Sequence, residues 1–94
     1  MSTQVWQRAF DFAGEEQELR RVGGEIAPLV LEFARKYEGI EFHARELWEY
    51  VSWSKQVAPD SPNRILRLLA RHGFLTYVVI DRTRSLYRVT EVRR

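Results

Sequence analysis

Apolar residues recur along this chain at changing periods, and the changes mark out its elements. Ile26, Leu29, Val30, Phe33, Ala34 and Tyr37 fall at i, i+3, i+4, i+7, i+8 and i+11, a single stripe on a helix. Pro28 suits that helix only in its first turn, and Gly39 supplies its stop. Ile40, Glu41 and Phe42 then alternate as in a short strand. A second helix is expected from about His43 to Trp53, with Ala44, Leu47, Trp48 and Val51 inward. A connector containing Pro59 runs from Ser54 to Asp60; Asp60 or Ser61 is expected to cap a third helix that Pro62 opens. Its stripe is Ile65, Leu68, Leu69 and His72, widened by Leu66, and Gly73 ends it. Phe74 to Ile80 is a β-branched and aromatic run, Asp81 to Ser85 a polar turn, and Leu86 to Val92 a second strand, together a hairpin. Leu29, Phe33, Leu47, Val51, Ile65 and Leu69 form the expected core.

Residues 1–22 read differently. Val5, Trp6, Ala9, Phe10 and Ala13 share a helical face, yet Trp6, Arg8, Phe10 and Phe12 also alternate as in a strand. Glu15 to Val22 favours helix, and Gly23-Gly24 marks a boundary. The expected organisation is an N-terminal arm or helix over 1–22 and one folded domain over 23–94.

The third helix has a second face. Asn63, Arg64, Arg67 and Arg71 lie at i, i+1, i+4 and i+8, opposite the apolar stripe. A helix inserted in a major groove needs long side chains at one-turn intervals on one face. Arg can bond guanine O6 and N7 in pairs, and Asn can do the same with adenine N6 and N7. A merely solvated helix usually interleaves Glu with Arg, but no acid occurs from Ser61 to Ile80. Ser61 joins the set at the start of the helix. Arg82 and Arg84 flank Thr83 in the hairpin turn, where a tip could meet a minor groove or flanking phosphates. Arg88, mid-strand, either joins this surface or pairs with Glu91.

Charge is separated along the chain. Residues 59–94 hold eight arginines against Asp60, Asp81 and Glu91, a net of +5, while residues 1–58 carry a net of −3. The overall +2 hides this asymmetry, which suits a surface for a polyanion.

Helix, short strand, helix, helix and hairpin, in this order and at these lengths, resemble the winged helix-turn-helix family of DNA-binding domains. The resemblance spans Gly24 to Val92, about three quarters of the chain. Ser61 to Leu75 (SPNRILRLLARHGFL) is similar to the family's recognition helix, its closing glycine and the first wing strand. Gly39 to Leu47 (GIEFHAREL) is similar to its short strand and the start of its second helix. Two features depart from the pattern: the connector before the third helix is longer than a tight turn, and residues 1–22 have no counterpart. The resemblance implies an α+β fold, a three-helix core with a C-terminal β-hairpin wing and an N-terminal extension. It also implies a small regulator of transcription that binds double-stranded DNA, with Ser61, Asn63, Arg64, Arg67, Arg71, Arg82 and Arg84 as the contacts.

Other classes fare less well. There is no cysteine, so neither disulfides nor thiolate metal sites arise. His43 and His72 are the only histidines, and no phosphate loop, metal-ligand spacing or nucleophile motif occurs, so neither an enzyme nor a cofactor is expected. No apolar run approaches ~20 residues and no signal-like segment opens the chain, so a cytoplasmic, nucleoid-associated protein without membrane contact is expected. A winged-helix protein–protein interaction module in a transcription or replication complex is the alternative, and structured-RNA binding a distant third. A single recognition helix reads few base pairs, so one expectation is pairing into a homodimer with Val5, Trp6, Phe10 and Phe12 as candidate interface; the competing expectation is that this arm folds back and completes the core of a single chain.

Overall fold

The computed structural model describes residues 14–93. Helical residues 14–23 (α1) lead through a 3-10 turn, Gly24–Ile26, into α2 (Ala27–Lys36). There follow β1 (Glu41–His43), α3 (Ala44–Ser52), α4 (Ser61–Arg71), β2 (Leu75–Asp81) and β3 (Leu86–Val92). The strands form an antiparallel sheet of order β1-β3-β2, so the last strand lies in the middle. Its register sets Phe42 and Val79 on either side of Tyr87. The result is a small α+β domain. Val5, Trp6, Phe10 and Phe12 lie outside the described residues.

Each helix buries the face that its sequence marks as apolar, with informative shifts. Phe33, Leu47, Val51, Ile65 and Leu69 are buried as expected, but Leu29 is only half-buried and Leu31 takes its place in the core. Helix α2 meets α3, α4 and β3, so its buried arc is wider than one stripe and takes in Ala27 and Leu31. Phe42, Phe74, Leu75, Val89 and Val92 close the core from the sheet side. Helix α1 belongs to the same core through Leu19, with Val22 packed beside it.

The helix ends follow local chemistry. At the start of α3, His43 Nδ1 accepts the Arg45 N–H at 2.9 Å, while the Glu46 carboxylate accepts the His43 N–H at 2.9 Å. This is a reciprocal capping box with histidine in the capping seat. At α4 the expected side-chain cap is not made. Asp60 precedes the helix with φ −89° and ψ −10°, and a capping oxygen reaches the first-turn N–H groups only from an extended backbone. His72 does not join the stripe either. Helix α4 ends at Arg71, His72 is its exposed C-terminal cap, and Gly73 turns the chain at φ +84°.

Close approach, rather than turning, explains Gly23. A Cβ there would sit 2.9 Å from both Ala27 Cβ and Ile65 Cγ2. The end of α1 therefore packs backbone-first against α2 and α4. The connector after α3 is tethered by the Trp48 indole N–H, which donates to the Val57 carbonyl at 3.1 Å, and by Lys55, 2.6 Å from Glu25. Lys55 holds the Glu25 carboxyl below its usual pKa by hydrogen bond and charge.

Two substitutions test this packing. Leu69→Ala should lower unfolding free energy by ~2–5 kcal/mol in denaturant titration, because the Leu69 side chain is fully enclosed. Gly23→Ala should cost ~1–3 kcal/mol through overpacking, although alanine is normally the better helix former. A neutral or stabilising Gly23→Ala would refute the close contact between α1 and α4.

Candidate nucleic-acid interface

Helix α4 divides by face. Ile65, Leu66 and Leu69 are buried, so the residues about half a turn away must point outward, and Arg64, Arg67 and Arg71 are all exposed. Ion pairs elsewhere neutralise other cations: Arg20 with Glu16, Arg35 with Glu15, Lys55 with Glu25 and Arg93 with Glu18. Among the described residues, none of Arg64, Arg67, Arg71, Arg82 and Arg84 pairs with a carboxylate. These five arginines are exposed and free of carboxylate partners among the described residues.

The hairpin tip is built to present its arginines. Asp81 Oδ1 accepts from the Thr83 N–H at 3.1 Å, the Thr83 hydroxyl at 2.8 Å and the Arg84 N–H at 3.2 Å. Ser85 takes a positive φ of 55°, and its N–H reaches the Arg82 carbonyl at 3.2 Å. The carboxylate of Asp81 is spent on the turn's own backbone, which orders the tip and leaves Arg82 and Arg84 exposed. Sequence reading took Asp81 as a polar turn residue and missed this organising role; the Asp-X-Thr spacing was the available signal.

Asn63 departs from expectation. It is half-buried and turned toward the sheet, with its Nδ2 3.4 Å from the Tyr87 hydroxyl, rather than fanned out with the arginines. Its Oδ1 is buried without a partner. Position i+1 beside a buried apolar stripe lies at the edge of the helix face, and the short asparagine side chain stays under the hairpin. Ser61, the first residue of α4, is also half-buried. Arg88 sits opposite Glu41 of β1, not beside Glu91.

Tyr87 is the residue that sequence reading undervalued. It meets Tyr77 edge-on at 6.2 Å between ring centroids, and it also contacts Phe42 at 6.0 Å. Phe42 in turn meets Phe33 of α2 at 5.0 Å. Both hairpin tyrosines are half-buried, so this row is packing rather than an open stacking platform. Through Asn63 it ties the first turn of α4 to the strand that leaves the tip. Of the other large aromatics, Trp48 is half-buried while Trp53 is 90% exposed.

No helix among the described residues is long and apolar enough to cross a membrane. No protein-family model matches the chain, and neither does any curated protein or solved structure.

Proposed function

We propose that this chain binds double-stranded DNA in a sequence-specific manner as a small winged-helix regulator of transcription. Helix α4 enters the major groove and the hairpin serves as the wing. The observation that carries the reading is the arginine face of α4: three exposed guanidinium groups, unpaired among the described residues, on a helix whose other face is locked into the core. Rigid anchoring matters because base contacts demand fixed side-chain origins. The α+β arrangement, with helices packed on a three-stranded antiparallel sheet ending in a hairpin, is compatible with that fold family.

Roles divide by position. Arg67, central on the face, is assigned the base contact, and Arg64 and Arg71 extend the footprint along the groove. Arg82 and Arg84 meet backbone phosphates, and Ser61 lies at the positive end of the α4 dipole, where a phosphate is favoured. Asn63 acts by holding the hairpin rather than by reading a base. Trp53 supports a second reading, a protein-interaction module, since a tryptophan at 90% exposure is a typical interface anchor.

Salt-titrated gel shifts on duplex DNA separate these readings. Arg67→Ala should remove ~1–3 kcal/mol of discrimination between preferred and mixed sequence while leaving thermal stability unchanged. Arg82→Ala and Arg84→Ala should weaken all sequences alike, and each should reduce the salt slope by about one per lost phosphate contact. A triple variant lacking Arg64, Arg67 and Arg71 that binds duplex as well as the unaltered chain would sink the DNA reading.

A further inference from the structure

Among the described residues, strand β2 is an edge strand, and it lacks most of the usual protection. From Leu75 to Ile80 it holds no charged residue, no proline and no glycine. Val78, Val79 and Ile80 are 43%, 41% and 39% exposed, three consecutive aliphatic side chains in water. They do not form a patch on one face. Val78 lies opposite Arg88 and Val79 opposite Tyr87, so the two point to opposite sides of the sheet, and Ile80 falls in the irregular register between Val79 and Asp81. What they share is the edge itself. A helix laid on either face would cover one of them and leave the next exposed. A strand added along the edge would cover them all, because its own side chains alternate to both faces.

Such a strand must be uncharged and apolar on both faces, which is the composition of β2. We infer that the β2 edge pairs with β2 of a second copy of this chain, antiparallel about a two-fold axis near Val78 and Val79. Charge selects this orientation. The charged residues nearest the stretch, Asp81 and Arg82, both lie at its C-terminal end. Two-fold antiparallel pairing sends those ends apart, and about Val79 it sets Asp81 opposite Tyr77 and Val78 opposite Ile80. Parallel pairing would instead align Asp81 with Asp81 and Arg82 with Arg82. The register shifts at Thr76/Tyr77 and Val79/Asp81 keep the regular stretch short. The contact is therefore of the small, dissociable class, under about 1,200 Å². The inference is independent of the DNA reading, and it places the dimer contact on the sheet rather than on residues 1–13.

Sedimentation velocity of the full chain without DNA, from about 1 to 300 µM to span a weak association, tests it together with amide exchange over the same range. The expected result is a reversible monomer–dimer equilibrium in which β2 amides gain protection as concentration rises. Replacing Val78 and Ile80 together by Lys sets like charges against each other across the axis. It should raise the dimer dissociation constant at least about tenfold, with the circular dichroism and melting temperature of the monomer retained. A chain that stays monomeric throughout overturns the inference. So does a dimer whose β2 amides show no concentration dependence, because that assigns the contact to another surface. Full β2 protection at the lowest concentration also overturns it, since the edge would then be covered from within the same chain. The exchange measurement on the unaltered chain decides the matter even if the double variant fails to fold. DNA binding plays no part in any of these outcomes.

Discussion

The enclosure of Leu66 and Leu69 is the contact on which the rest of the arrangement depends. Helix α4 packs against α2, α3 and β2, and both leucines are fully buried. A helix rotates 100° per residue, so fixing those two positions fixes the direction of every other side chain on it. Arg64, Arg67 and Arg71 are outward because Ile65, Leu66 and Leu69 are inward. The same side chains that supply hydrophobic stabilisation thereby set the spacing and rigidity of the cationic face. The buried apolar side and the exposed cationic side belong to a single rod.

The hairpin is bound to that rod through β2, which packs on α4 directly. Strand β3 is paired on both sides, so the β-ladder gives it a firm base, and the Asn63–Tyr87 contact adds a polar link from β3 to α4. At 3.4 Å from the amide nitrogen, with the amide oxygen Oδ1 buried and without a partner among the described residues, that contact is weak as a hydrogen bond. The hold on the hairpin comes from Leu75, Val89 and Val92, buried in the core, and from the aromatic row of Tyr77, Tyr87, Phe42 and Phe33, which runs from the outer strand into α2. Aromatic packing tolerates small rotations better than a short hydrogen bond does. The tip, in contrast, is internally rigid through Asp81.

Most of this was legible in the sequence wherever a period was unambiguous. The ends of α2, α3 and α4 fall within a residue or two of expectation, because Pro28, Gly39, Pro62 and Gly73 act locally. The hairpin and short first strand were legible for the same reason. What escaped depended on tertiary contact. Leu31 joins the core because α2 is surrounded on several sides, which a single-stripe reading does not anticipate. The helix over residues 14–23 agrees with the helix-favouring reading of Glu15 to Val22, but its gift of Leu19 to the core was not legible, since the charged pattern there gave few apolar positions to count. The cationic residues of the candidate site were found by spacing alone. The inward turn of Asn63 was not, since it depends on a tyrosine 24 positions away.

The strand order has a consequence for how the protein comes into being. Strand β3 lies between β1 and β2, yet it is made after both of them. While a ribosome is still producing β3, β1 has no partner, and the helices lack Val89 and Val92 to close their apolar faces. Local helices can form early, but the sheet and the sealed core wait for the same late segment. Vectorial synthesis therefore cannot complete this domain piece by piece. Until Val92 has cleared the exit tunnel, the nascent chain presents open apolar surface and an unpaired β2, the kind of surface that chaperones shield.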